Sequence, residues 1–415
     1  GTHLLTVNSH YCVAFAAAEF LAYNCAIRNA MRLKDTYYNF IRTVARLLLV
    51  GLVVALLSLP VANAQRESPS SGLQEEEYQL YFPVLQFNNP YYKIFLPFYH
   101  LSPQEASVQH ASMQSMQKPS GFVQRVGEDL QLDGQPYTFV GTNVSYLAGP
   151  FFPEVYMEEI VSFLANSGVQ VIRVWTEPWC DMERVVRLVD LAGKYNVRLI
   201  LTLQNFFGHK DGWWFKSKAE TVDLPHIRNI VPLFANRPEV LMWELMNEPT
   251  CPAEDANPSC WNAFVRWAEV TSGEIKRLDP NHLVAVGTQH AGFDDQALDA
   301  FRRVHALDTI DIISVHWNVG GTPQKELDIA RELGKPVYLG ETYMLAYDKE
   351  CHLLSDSILE ERAQAVAHDI ERSRQLGIDG YLLWQYIHDG CGVTDYLPTD
   401  PVWQVIRSVS SSLTR

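Results

Sequence analysis

Two glutamates, Glu248 and Glu341, close β-rich apolar runs: LMWELMNEPT over 241–250 and PVYLGET over 336–342. Carboxylates that face each other suit the hydrolysis of a glycosidic bond. One must keep its proton and give it to the leaving oxygen; the other must stay ionised, to attack the anomeric carbon or activate water. Their surroundings must push the two pKa values apart. They lie 93 residues apart in the chain, so only a closed tertiary structure brings them together. Taken singly, each also reads as a surface or loop-capping carboxylate.

Other chemistry-bearing residues recur at the ends of similar runs. Asn143 ends the first, and Arg173 and Trp175 end the second. Gln204 and Asn205 follow the third, Asn247 precedes Glu248 at the fourth, and Gln289 and His290 follow the fifth. His316, Trp317 and Asn318 end the sixth; Trp384 and Gln385 end the eighth. The set is polar and aromatic, and two of its members are carboxylates.

The elements that must position these groups are eight expected strands: 137–143, 169–175, 197–203, 241–247, 282–287, 310–316, 336–340 and 380–385. Helix-like segments alternate with them at 154–167, 182–195, 227–235, 261–278, 295–303, 324–333 and 358–376, with a last one at 402–409. Such alternation implies parallel strands joined by right-handed crossovers. Eight units in this length fit an α/β fold of the (β/α)8 TIM-barrel type, whose chemistry sits at the C-terminal strand ends. A doubly wound sheet would want a glycine-rich phosphate loop after its first strand, and GTNVSYLAGP is not one. G-x-x-x-x-G-K-[ST], G-x-S-x-G and H-E-x-x-H are absent from the sequence, which removes the motif support for nucleotide, serine-hydrolase and zinc-protease chemistry. No His-x-His cluster supports a metal-dependent barrel hydrolase.

LMWELMNEPT and PVYLGET resemble the acid/base and nucleophile strands of glycoside hydrolase family 5. GTNVSYL, VIRVWTEPW, LDPNHLVAVG and the strand-eight WQ resemble its endo-β-1,4-mannanase branch, and the likeness spans about residues 127–410. The resemblance implies Glu248 as acid/base and Glu341 as nucleophile. Asn247 would hold the sugar 2-hydroxyl, Arg173 would fix Glu341, His316 would bond near the reacting sugar, and Trp384 would stack beneath it. Trp175 and Asn205 would join them in binding substrate, and no cofactor or metal is needed. Where the family usually has Tyr two residues after the strand-six His, this chain has Asn318; Tyr343 or Tyr386 is then expected to supply the hydroxyl. Trp213 and Trp214 are expected to line outer subsites. The expected partner is a β-linked polysaccharide, mannan or glucomannan, acted on by a monomer. A β-glucan hydrolase on the same scaffold and a carbohydrate-binding pseudoenzyme are the rival readings.

The chain has 415 residues and a net charge of −15, which argues against a nucleic-acid partner. Residues 1–30 read as an upstream segment. In 31–64 a basic stretch precedes the apolar run LLLVGLVVALLSL and an Ala62-Asn63-Ala64 site, the three parts of a secretory signal. Its apolar run is shorter than the ~20 residues a membrane span needs. The product is therefore expected outside the cell and free of the membrane, with 65–126 as a linker and 127–415 as the barrel. Five cysteines follow the signal. Cys251–Cys260 and Cys351–Cys391 are expected to pair, leaving Cys180 free. Asn143-Val144-Ser145 is formally a glycosylation sequon, expected to line the site unmodified.

Overall fold

A computed structural model describes residues 121–149, 152–205, 213–251, 257–292, 294–345, 354–387 and 394–413. The expected signal segment, the upstream 1–30, and most of the expected linker lie outside these residues, as do Cys351 and Cys391.

The described chain opens on a small antiparallel sheet of β1 (Val123–Val126), β2 (Asp129–Leu132) and β3 (Gln135–Pro136). Its turns use Gly127, Asp133 and Gly134 at positive φ, the conformations tight hairpins demand. Val123 and Leu130 point from this sheet into a cluster with Phe139, Val171, Leu241, Leu283 and Tyr338. All five lie in the N-terminal halves of barrel strands, so the hairpin plugs the end of the barrel away from the strand tips. Residues 121–126 of the expected linker belong to the folded unit, β1 among them.

The barrel follows: β4 (Phe139–Asn143), β5 (Val171–Trp175), β6 (Arg198–Thr202), β7 (Val240–Glu244), β8 (Leu283–Ala285), β9 (Ile313–Asn318), β10 (Val337–Tyr343) and β11 (Gly380–Leu383). These strands form one sheet in the order β8-β7-β6-β5-β4-β11-β10-β9, every ladder parallel. Asp311 joins its two ends. Its N–H donates to the Val284 carbonyl at 2.8 Å, and its carboxylate accepts from the Val284 N–H at 2.7 Å. The fold is the expected (β/α)8 barrel.

Helices α1 (Met157–Asn166), α2 (Met182–Tyr195), α3 (Leu224–Phe234), α4 (Pro258–Leu278), α5 (Asp295–His305), α6 (Gln324–Leu333), α7 (Asp356–Gln375) and α8 (Val402–Leu413) lie along the chain between and after the strands. Asp181, Asn257 and Asp294 cap α2, α4 and α5 by accepting backbone N–H bonds, which satisfies donors a helix start otherwise leaves unpaired. The apolar faces of strands and helices share one large core. Among the described residues no helix is long and apolar enough to cross a membrane.

Candidate active site

The strand ends differ from the sequence expectation where they carry chemistry. β7 stops at Glu244, three residues early. Leu245 and Met246 then donate to Ala285 and Val286, Asn247 to Gln204, and Glu248 to Gly287. The chain therefore leaves the sheet while its N–H groups stay paired, and it carries Glu248 at φ +48. A non-glycine residue seldom takes that conformation, and strain of this kind concentrates at functional sites. β10 runs longer than expected, through Glu341 to Tyr343. Its register against β9 slips between Leu339 and Glu341, so Gly340 is bulged and Glu341 comes opposite His316. A Cβ on Gly340 would stand 2.8 Å from Ser314 Oγ and 3.0 Å from His316 Nε2. Only glycine lets the strand come that close, and the bulge re-aims the next side chain.

These two departures bring the carboxylates together. Glu248, His316 and Glu341 each offer a donor atom within 4.8 Å of the others. His316 Nδ1 lies 2.8 Å from Glu248 Oε1 and 3.4 Å from Glu341 Oε2. Arg173, wholly buried, organises the floor. Its NH1 donates to Glu341 at 2.8 Å and to Asn143 Oδ1 at 2.9 Å; its NH2 donates to Asn247 Oδ1 at 2.8 Å. The Asn247 amide donates in turn to Asn205 Oδ1 at 3.3 Å. The Trp175 and Trp384 rings are half-buried at a 6.0 Å centroid separation, tilted by 38°. Of the eight residues singled out for this site, Arg173 stands mid-strand in β5, and the others stand in the C-terminal halves of strands or just beyond them.

Burial is the largest influence on Glu341 and, with the Glu248 charge, pushes its carboxyl up to about 7 against the pull of His316 and Arg173. Burial opposes ionisation of Glu248 as well. The hydrogen bond and charge of His316, helped by Arg173 and His290, outweigh it and hold that carboxyl low. Two carboxyls this close titrate as one pair: the first proton leaves easily and the second is retained to about 7. The trio could geometrically embrace a cation. However, Arg173 already sits on Glu341, and His316 Nδ1 on Glu248, so the arrangement is one for sharing protons.

Some expectations fail. Trp214 is buried, and its indole N–H donates to Asp223 at 3.2 Å, beside that of Trp267 at 2.7 Å. It packs under α4 and lines no outer subsite; the Trp213 side chain lies outside the described residues. Tyr386 is buried against Phe163 and Trp403, so of the two tyrosines expected to supply the hydroxyl only Tyr343, at the end of β10, is left; Arg173 and His316 both stand at Glu341. Asn143 is fully buried and its amide donates to Gly340 and Leu383 carbonyls, as expected of a sequon asparagine inside the site. Cys251 and Cys260 form a disulfide, and Cys180 is free.

Glu244 was not anticipated. It is fully buried and accepts from Arg173 Nε at 2.8 Å, from Thr202 at 2.8 Å, and from the Tyr338 hydroxyl. The signal was available: a charged residue inside an apolar strand run is seldom buried unless paired.

Residues 214–361 hold Asn247, Glu248, His316 and Glu341, and they match the sequence profile of the family described as "GH family 5 beta-mannosidase-like". That stretch of the barrel is similar to the glycoside hydrolase family 5 domain the profile describes. A mannan endo-1,4-beta-mannosidase A of Hypocrea jecorina is 26% identical over 227 residues, which are 45% of this chain and 51% of the relative. The match thus spans about half the length of that relative. The Podospora anserina protein of the same name is 23% identical over 63% of this chain and 81% of its own length. In three dimensions the barrel is similar to the endo-1,4-beta-mannanase of Rhizomucor miehei. The TM-score is 0.56 at 18% identity, covering 71% of this chain and 99% of that one. The endo-beta-1,4-mannanase of Thermotoga petrophila gives 0.53 at 19% identity, over 68% and 77%. At such identities these likenesses speak for the fold alone.

Proposed function

We propose that this chain is a secreted, retaining endo-β-1,4-mannanase. The observation that carries the reaction type is the approach of Glu248 and Glu341, with donor atoms within 4.8 Å. Retention uses carboxyls about 5–5.5 Å apart, whereas inversion needs roughly 6.5–9.5 Å to admit a water. Glu341, fixed by Arg173, attacks the anomeric carbon. Glu248 protonates the leaving oxygen and then, as base, activates the water that releases the sugar. Asn247, held between Arg173 and Asn205, meets the 2-hydroxyl, and Trp175 and Trp384 supply apolar faces for the pyranose rings.

The chemistry needs the pair's proton on Glu248, while burial favours it on Glu341. His316 Nδ1 stands between the two, 2.8 Å from Glu248 and 3.4 Å from Glu341. Glu248 is the more exposed of the two, at 21% against 8% for the side chains. A bound sugar that covers Glu248 adds burial on that side and draws the proton to it. The substrate class rests on the relatives' names, and export rests on the signal-like residues 31–64.

A reducing-sugar assay across mannan, glucomannan, carboxymethylcellulose and xylan tests the reading. Mannan and glucomannan should be cut fastest, with oligosaccharides as the early products. Early release of monosaccharide alone would overturn the endo assignment. A preference for carboxymethylcellulose would overturn the substrate.

A further inference from the structure

We propose that Glu244 is a positioning residue: by binding the far edge of the Arg173 guanidinium, it limits how much of that cation's charge reaches Glu341. The inference rests on the catalytic reading above for its consequence, but its geometry stands alone. A guanidinium has five N–H bonds. The Nε hydrogen goes to Glu244 at 2.8 Å, and NH2 is 2.6 Å from the same oxygen. One NH2 hydrogen goes to Asn247, and the NH1 pair goes to Asn143 and Glu341. Four of the five donors are hydrogen-bonded, and NH2 also stands in charge contact with Glu244. Arg173 is therefore one cation shared by two carboxylates, and the two amide oxygens fix how it is turned between them.

Glu244 is itself saturated. Arg173 reaches it from β5, Thr202 from β6 and Tyr338 from β10, and each donates to it. Burial, the Glu244 charge and the bond to Glu244 keep the Tyr338 hydroxyl protonated well beyond the ordinary range, while Arg173 and Ser314 pull the other way. Gly287, at φ +91, leaves room for the carboxyl: a Cβ there would come within 2.9 Å of Glu244 Cδ. Glu341 in turn faces Arg173 from β5, His316 from β9 and Glu248 from the segment after β7. Of these groups, Glu244 acts on Glu341 only through Arg173 and through space. Both routes have one sign. A second anion drains the cation and repels the first anion, so Glu341 stays a stronger base and a better nucleophile than full pairing with Arg173 would leave it.

Glu244→Gln tests this with little change of shape. The amide oxygen can still accept from Arg173 and Thr202, and the Tyr338 hydroxyl can reverse to accept from the amide N–H. The readout is the carboxyl carbon resonance of Glu341 in the full chain labelled with 13C-glutamate, assigned by its loss in Glu341→Gln. The midpoint of its upper titration should fall by about one pH unit in E244Q. An unchanged or raised midpoint in folded E244Q would overturn the proposal, whatever the enzyme's substrate. If E244Q does not fold, Tyr338→Phe decides. It keeps the Glu244 charge but removes one of its donors, so more of that charge falls on Arg173 and the Glu341 midpoint should rise; a fall or no change overturns the idea. Kinetics then separates this inference from the reading it rests on. If mannan is cleaved, the alkaline limb of kcat/KM should move down with the midpoint in E244Q. If mannan is not cleaved while the midpoint moves, the catalytic reading fails and the charge sharing stands.

Discussion

At the level of single residues, the two carboxylates should be separable by experiment. Glu341→Ala removes the nucleophile, so no glycosyl intermediate forms and activity should fall to background. Glu248→Ala removes only the proton donor and later base. An aryl mannoside with an acidic phenol needs little protonation and should still load Glu341, after which release stalls and the intermediate accumulates. Azide needs no base and should restore turnover as the β-glycosyl azide. A β-azide from Glu341→Ala would show the roles to be swapped, because azide replacing a lost nucleophile enters from the opposite face and gives the α-azide. The pH profile follows from the same pair. The active form carries one proton, the one held to about 7. Wild-type kcat/KM on soluble mannan should therefore fall as pH rises through about 7, and its acid limb should lie below the ordinary carboxylate range, where Glu248 is held. With the acidic-phenol substrate, E248A should lose that alkaline fall, because no donor is needed. Activity flat to pH 9 in the wild type would refute the assignment.

At the level of elements, much of the barrel could be read from the chain. Its strands are short, buried apolar runs, and its helix starts carry Asp or Asn caps. The finer placement could not be read. The bulge at Gly340 and the left-handed turn at Glu248 arise from register between neighbouring strands, which a single sequence does not display. Trp213-Trp214 sits in a glycine- and lysine-rich stretch that looks like a loop, yet Trp214 begins a run packed on Trp267 and Asp223. The β1–β3 hairpin has strands of two to four residues, too short for periodicity to show. Its Asp133-Gly134 turn, with Leu130 and Leu132 just before it, was the cue that could have found it. Leu130 is 1% exposed in the barrel floor; Leu130→Ala should cost about 2–4 kcal/mol in urea unfolding. A loss under ~0.5 kcal/mol would mean that the plug is dispensable. The Cys251–Cys260 link ties the segment after Glu248 to the first turn of α4, nine residues on. Replacing both cysteines by alanine should cost about 2–3 kcal/mol, read as a lower denaturation midpoint that added reductant no longer shifts.

Across the whole molecule, buried acids make stability depend on pH. Burial pushes Glu177 up to about 8 and Asp379 to about 7, each against opposing backbone hydrogen bonds, and Asp223 to about 6 against donors that include Trp267 and Trp214. Glu341 adds a fourth at about 7. Each keeps its proton in the fold at a pH where the unfolded chain has lost it. The stability they give is complete below the unfolded carboxylate values and is lost as pH rises toward the folded ones. Buried histidines act oppositely: burial lowers His305 to about 3, and it also lowers His226 and His290, so their cost appears only as pH falls below the ordinary imidazole value, about 6.5. Lys335, lowered by burial to about 8, adds stability only as pH rises above that value and changes little below it. Between pH 6.5 and 8 the carboxyls therefore decide the slope, and the protein should grow more stable as pH falls across that window. Each proton held by the fold alone is worth about 1.4 kcal/mol per pH unit. Glu177, whose carboxyl accepts the Asn205 N–H, spans the whole window. Glu177→Gln should keep the packing, remove one such proton, and flatten the rise measured by urea unfolding at pH 6.5, 7.25 and 8. Wild type and E177Q with parallel slopes would show that Glu177 is ionised in the fold, and that its burial is compensated by a partner other than Asn205.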